Sequence, residues 1–197
     1  MDIVKNGYNQ IAKSYLDNRD QLKSAKYIQL FLKHLPKKSM ILDLGCGAGV
    51  PVDDMLQKAG HDILGLDISE VQIDLARLNC KYGSYECRDL KSLSEGEFSV
   101  AGIVCLYTLF HISRMLHGQM LTKMASFLPK NGLLLITMGD REYEGNHSMY
   151  GVKMWSSQFG PKKNSKMILE SDFEILLDEI DLSGGERHQY ILARKNH

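Results

Sequence analysis

The chain has 197 residues, 44% of them apolar and 24% charged, so two full domains and extensive disorder are excluded and a single unit with at most a small lid is expected. Its 24 Lys and Arg are balanced by 24 Asp and Glu, which leaves no bulk field to gather nucleic acid or an anionic membrane. No apolar run reaches the ~20 residues of a membrane helix and the opening MDIVKNGYNQ lacks an apolar leader core, so a cytoplasmic location is expected.

Residues 4–16 and 21–35 repeat apolar side chains at spacings of three and four, as in Tyr27, Leu30, Phe31 and Leu35, which predicts two amphipathic helices, the second stopped by Pro36. The apolar run 40–45 ends in glycine and a helical pattern follows over 51–59, giving strand, glycine turn and helix. Residues 62–67 form a second strand, and Ser69 with Gln72 reads as a capping box opening a helix through Asn79. Short strands follow at 84–87 and 102–107, then a helix over 113–128 with Met115, Leu116, Met120, Met124, Phe127 and Leu128 on one face. The turn 129–132 introduces a strand at 133–137. Strands alternating with helices imply a parallel sheet covered on both faces.

Residues 140–160 lose their period and collect Tyr143, His147, Tyr150, Met154 and Trp155, which reads as an irregular loop, either packed on the surface or forming a pocket or lid. A helix near 164–170 and strands at 173–180 and 188–194, joined by the turn Ser183-Gly184-Gly185, complete the chain as a hairpin. Cys46, Cys80, Cys87 and Cys105 include no C-x-x-C pair, so reduced thiols are expected. His61, His117 and His188 lack any spacing to Cys or carboxylates that would hold a metal, and none is expected.

The informative segment is 41–49, Ile-Leu-Asp-Leu-Gly-Cys-Gly-Ala-Gly. Three glycines directly after a buried strand let the backbone turn tightly and approach a ligand at the carboxyl edge of a sheet. A dinucleotide fingerprint fails here, because G-x-G-x-x-G requires glycine at Val50 or glycine or alanine at Val52, and Asp43 puts an anion where a pyrophosphate would come. Asp67 ends the second strand twenty residues beyond Gly47, where a carboxylate can accept from both ribose hydroxyls. Asp89 follows the third strand and could accept from an adenine amino group. Each alone reads as a solvated loop acid; together, at successive strand ends, they outline a nucleoside site.

The stretches ILDLGCGAG, LGLDIS, CRDL, VCLYTLFHI and FLPKNGLLLIT resemble the class I S-adenosylmethionine-dependent methyltransferases, over about Tyr8 to Gly139 and with a fitting final hairpin. The resemblance implies a single domain over 1–197 built on a seven-stranded, mostly parallel Rossmann-like α/β sheet. Its strands, counted in chain order, run 3-2-1-4-5-7-6 with strand 7 antiparallel and helices on both faces. It implies S-adenosyl-L-methionine as cofactor and S-adenosyl-L-homocysteine as product. By position, Asp43, Gly45, Cys46 and Gly47 would surround the methionine part, Asp67 the ribose, Ile68 one adenine face, Asp89 and Leu90 the adenine edge, and Leu106 the floor beside the sulfonium. The helices of residues 1–35 would cover that site, with Tyr15 of the Tyr8-Asn-x-Ile-Ala-x-x-Tyr15 pattern closing over the methionine end or touching the acceptor. Asn9 stands where the family pattern has aspartate.

Methyl transfer from a sulfonium is an in-line displacement on an activated carbon, so alignment supplies much of the rate and a base is needed only for a protonated acceptor. His111, after the fourth strand, stands where related small-molecule enzymes place a substrate-facing histidine, and an imidazole suits proton removal; a histidine packed beside the next helix is the other reading. The expected acceptor is a small molecule with an N, O or S nucleophile, and 140–160 is the candidate acceptor pocket or lid. A tRNA or protein methyltransferase and a non-catalytic cofactor-binding module are the alternatives, and oligomeric state is left open. Lys37-Lys38 and Lys162-Lys163 are short pairs without interleaved aromatics, so nucleic acid is not expected.

Overall fold

Strands whose residues are apolar on both faces have to be covered on both, and the chain solves this with helices above and below one sheet. The computed structural model describes residues 3–18, 24–183 and 187–197. In chain order the elements are α1 (Ile3–Asn18), α2 (Ala25–His34), β1 (Met40–Leu44), α3 (Val52–Lys58), β2 (Asp62–Asp67), α4 (Glu70–Asn79), β3 (Ser84–Cys87) and β4 (Gly102–Cys105). Then come α5 (His117–Ser126), β5 (Leu133–Gly139), β6 (Tyr143–Met149), β7 (Val152–Gln158), α6 (Pro161–Glu170), β8 (Phe173–Asp181) and β9 (His188–Lys195).

The main sheet has seven strands in the order β3-β2-β1-β4-β5-β9-β8. Strands β1 to β5 pair in parallel, whereas β9 runs antiparallel to both β5 and β8. This is the expected Rossmann-like topology, with β8 and β9 in the places of family strands 6 and 7. All seven residues of β5 are buried, as a central strand with two covered faces requires. Leu134 and Ile136 pack with Met120, Leu121 and Met124 of α5 and Ile168 of α6. Leu133 and Leu135 point the other way, to Tyr27, Ile28 and Phe31 of α2 and Val52 and Leu56 of α3. The period-two alternation of strand side chains thus divides one run of leucines between two cores.

Three readings of the sequence change. The stretch 140–160 is not an irregular loop but the hairpin β6-β7, a separate two-stranded antiparallel sheet. Its turn residues Tyr150 and Gly151 both take positive φ (49° and 79°), as a tight two-residue hairpin turn demands, and tyrosine in the first place hid the signal. The helix expected over 113–128 is a 3₁₀ turn at Arg114–Leu116 followed by α5. That tighter turn, closed by the Leu116 N–H on the Ser113 carbonyl at 2.8 Å, swings Met115 off the apolar face to 80% exposure. Finally, α6 starts earlier than expected, with Pro161 at its first turn, where a missing N–H costs nothing. Residues 21–23 of the expected second helix and Gly184 and Gly185 of the expected last turn lie outside the described residues.

Candidate active site

The carboxyl ends of β1, β2 and β4 converge on one edge. Beyond β1 the backbone turns through Gly45, Gly47 and Gly49 at φ 83°, 55° and 78°. Gly45 also meets a steric demand: a Cβ there would lie 2.0 Å from Thr108 Oγ1. The N–H groups of Gly45 and Cys46 donate to the Leu66 carbonyl at 2.7 and 3.0 Å, locking the turn to β2. At the end of β2 the Asp67 carboxylate accepts from Gly47 N–H and Ser69 N–H, each at 2.9 Å. Burial raises the Asp67 carboxyl above its ordinary value, opposed by these backbone donors.

Ser69 caps α4 by accepting from Gln72 N–H, but the expected capping box is only half made. Asp67 has taken the Ser69 N–H to which the Gln72 side chain would reach back. The Gln72 amide, in a side chain 1% exposed, therefore makes no hydrogen bond from either its oxygen or its nitrogen among the described residues, and it lines the cavity above Gly47. A buried amide without partners costs about 1–3 kcal/mol unless a ligand satisfies it.

That first cavity brings together Tyr15, Gly45, Gly47, Asp67, Ile68, Asp89, Leu90, Leu106 and His111 of the residues singled out in the sequence. Asp89 caps the short turn after β3, accepting from Lys91 N–H at 2.9 Å. Asp43 and Cys46 are not on its wall. Both are buried, and the Cys46 side chain packs behind the loop with Ile73, Ala76, Cys80 and Tyr85. Burial, then the charges of Asp53, Asp67 and Asp43, push the Cys46 thiol up, so it is an inert packing group. Asp53, fully buried in α3, has its carboxyl raised well above the usual range by burial and then by the charge of Asp43.

Helix α1 lies across this edge. Asn9 shows why aspartate is absent at that position: its oxygen accepts from Ser69 Oγ at 2.6 Å while its amide nitrogen donates to Glu70 at 3.3 Å, a donation no carboxylate could make. Lys5 pairs with the same Glu70. Gly7 lets α1 settle on β7, since a Cβ there would meet Met154 Sδ at 2.1 Å.

A second cavity opens beyond the first, and Tyr8, Tyr15, Tyr107 and His111 line both. The hairpin contributes Tyr143, His147, Met149, Ser156 and Gln158 to it, and Phe110, Asp140, Arg141, Arg187 and His188 complete the wall. Arg187 pairs with Asp140 at 3.2 Å. His111 is held at both nitrogens, Nδ1 2.9 Å from the Trp155 carbonyl and Nε2 2.9 Å from the Tyr8 hydroxyl. Tyr107 sits at φ 57°, anchored by its N–H on Thr137 Oγ1 at 2.5 Å and its hydroxyl against Tyr190. Sequence reasoning assigned no role to Gln72, Tyr107 or Thr108, and saw Tyr8 only as part of a pattern. Gln72 alone left a signal, as the second half of a capping box.

A glycine turn, successive acidic strand ends and this strand order define the fold class of Rossmann-like methyltransferases. Residues 41–132 match the family model described as a methyltransferase domain, so this part of the chain is similar to the S-adenosylmethionine-dependent methyltransferases whose fold it shares. Among curated relatives, the ubiquinone biosynthesis O-methyltransferase of Hydrogenovibrio crunogenus is 27% identical over 120 residues, 54% of this chain and 48% of that protein. The chain thus spans about half the length, or less, of the curated relatives it matches. The 1,6-didemethyltoxoflavin-N1-methyltransferase of Burkholderia thailandensis, solved with 1,6-didemethyltoxoflavin and S-adenosylhomocysteine bound, superposes with a TM-score of 0.74 at 17% identity, over 95% of this chain and 86% of that one. The [4+2]-cyclase SpnF also superposes with a TM-score of 0.74, at 15% identity over 98% and 95% of the two chains, so the fold alone does not settle the reaction. No helix among the described residues is long and apolar enough to cross a membrane.

Proposed function

We propose that the chain transfers methyl from S-adenosyl-L-methionine to a small-molecule N, O or S nucleophile held in the second cavity, releasing S-adenosyl-L-homocysteine. The observation that carries this is the common wall. Two cavities that share Tyr8, Tyr15, Tyr107 and His111 in their walls give a methyl donor and an acceptor adjoining sites. The first cavity fits the cofactor: Gln72 offers an amide donor and acceptor that no other group among the described residues uses, and Asp67 and Asp89 offer carboxylates to hydroxyl and amino groups.

In this reading Asp67 holds the ribose, Ile68 covers one adenine face, and Asp89 and Leu90 meet the adenine edge. The Gly45-Cys46-Gly47 turn, with Asp43 buried beneath it, receives the methionine part. Leu106 forms the floor, and Tyr15 closes the methionine end beside the acceptor. When bound, S-adenosylmethionine supplies a methyl group already activated on a sulfonium. The protein's own share is alignment, exclusion of water and, where the acceptor arrives protonated, a proton sink at His111. The free thiols of Cys46, Cys80, Cys87 and Cys105 suit a reducing cytoplasm.

The test has two stages. Calorimetry with S-adenosylhomocysteine and with NAD is expected to give heat only for the former; preference for NAD sinks the cofactor reading. Screening amine, hydroxyl and thiol acceptors, with S-adenosylhomocysteine release as readout, then identifies the nucleophile. Methyl appearing instead in tRNA or protein would shift the acceptor to a macromolecule.

A further inference from the structure

We propose that the acceptor carries a carboxylate, that the guanidinium of Arg141 holds it in the second cavity, and that it is a handle set apart from the atom that receives methyl. This deepens the methyltransferase reading above and rests on it.

The charges on the wall leave one cation over. Among its described residues are two arginines and a single carboxylate, that of Asp140. Arg187 Nε lies 3.2 Å from Asp140 Oδ2, and the Asp140 side chain is only 11% exposed, so this pair is closed on itself. The Arg141 side chain forms no hydrogen bond or ion pair among the described residues, and its guanidinium presents N–H donors in a planar fork. That fork meets the two oxygens of a carboxylate with parallel hydrogen bonds. One surplus positive charge balances one negative charge, whereas a phosphate monoester, which carries nearly two, is left partly uncompensated.

The main chain beneath Arg141 is fixed. Gln158 Nε2 donates to the Arg141 carbonyl at 3.1 Å. Gly139 makes room for that contact, since a Cβ there would meet Gln158 Cδ at 2.5 Å. Gln158 and Ser156 are alternate residues of β7, paired with Tyr143 and Gly145 of β6, so one face of the hairpin is turned to the cavity. Gly145 leaves no side chain opposite Ser156. Ser156 is 8% exposed, and its hydroxyl makes no hydrogen bond among the described residues. It stands about 7 Å along the strand from Gln158 and offers a second polar contact to the acceptor.

Arg141, Ser156 and Gln158 line the second cavity alone, whereas Tyr8, Tyr15, Tyr107 and His111 line the first as well. The residues that hold the anion are therefore different from those that meet the methyl donor, which makes the carboxylate an anchor and not the nucleophile. Elsewhere on the wall Phe110 lies over His188, with ring centres 5.4 Å apart and 27° between planes, and such faces suit a flat acceptor.

The probes are benzoate and 2-naphthoate, each beside its uncharged carboxamide, together with phenyl phosphate. They are titrated by NMR near neutral pH into protein saturated with S-adenosylhomocysteine, whose own binding is measured first by calorimetry. Each carboxylate is expected to bind about 10- to 100-fold more tightly than its carboxamide, and benzoate more tightly than phenyl phosphate. Arg141→Met keeps the length of the side chain and deletes its charge. It is expected to weaken each carboxylate to the level of its carboxamide and to leave carboxamide and S-adenosylhomocysteine affinities unchanged. Arg141→Lys, a point charge without the fork, is expected to keep part of the preference. A carboxylate that binds no better than its carboxamide in the wild type, or a preference that survives in Arg141→Met, overturns the proposal and leaves the methyltransferase reading standing. Tighter binding of phenyl phosphate than of benzoate overturns the choice of anion. A wild-type protein that binds no S-adenosylhomocysteine removes the methyltransferase reading and this proposal with it.

Discussion

From Gly45 to Asp89, each predicted group on the first cavity's wall sits at a strand end or in the turn that follows it, and much of what it presents is backbone or a carboxylate pinned by backbone. Across the common wall the pieces come from distant parts of the chain: Tyr8 and Tyr15 from α1, Tyr107 and His111 after β4, Tyr143 and His147 from the hairpin, His188 from β9. The first region is short-range and fixed by a parallel sheet; the second exists only after α1 and the hairpin have docked. A fold that holds its donor in one way can therefore accept different acceptors by changing the second region alone.

Mutations should divide along the same line. The largest effect is expected from His111→Ala, which should lower turnover at saturating cofactor by ~10²–10⁴-fold while S-adenosylhomocysteine affinity stays nearly intact. Wild-type turnover in initial-rate assays would return His111 to a packing role. Asp67→Ala should do the converse, weakening S-adenosylhomocysteine by roughly 1.5–3 kcal/mol, the scale of charge-assisted hydrogen bonds, in a protein that still melts cooperatively. Unchanged calorimetric affinity would remove the ribose assignment. Gln72→Met keeps the side chain's bulk and deletes its unpaired amide, so it should raise the stability of the ligand-free protein while costing about 1 kcal/mol of cofactor affinity. Tighter binding would show that the amide faces no ligand.

The smallest effect concerns the scaffold beneath the glycine turn. A carboxyl whose folded pKa is raised binds more protons folded than unfolded, so its contribution to stability is present below the unfolded value near 4 and is lost as pH rises through the folded one. Asp53 is raised by burial and by Asp43. Asp53→Asn is therefore expected to lift the melting temperature by a few degrees in mildly alkaline buffer and by less in acid, as read by calorimetric scans. An equal shift at both would contradict the assignment of a buried, proton-retaining Asp53.

How much could be read from sequence follows the same division. The glycine turn, Asp67, Ile68, Asp89, Leu90 and Leu106 were legible because one strand and the turn after it place each of them. Asp43 and Cys46 belong to the same motif, but strand alternation and the tight turn bury their side chains behind it. The hairpin was hidden because Tyr143 to Met149 carries glycine, asparagine, histidine and serine in place of alternating apolar residues. Its strand character comes from pairing with β7, with Gly145 opposite Ser156 and Asn146 opposite Trp155, and no local propensity announces it. Tyr8 could not be told from a half-buried helical tyrosine until His111, 103 residues away in sequence, came within hydrogen-bond distance.

Tyr8 and Tyr15 of α1, Tyr107 and His111 line both cavities. Side chains change rotamer at little cost compared with moving main chain, so the two compartments can be joined by one molecule. An adenosine linked through a short chain to an acceptor ring would occupy both at once. Its second half would bind at the high effective concentration set by the tether, giving an affinity well beyond that of either fragment. On the proposed function, the wall between donor and acceptor would thus also be the opening for bisubstrate inhibitors.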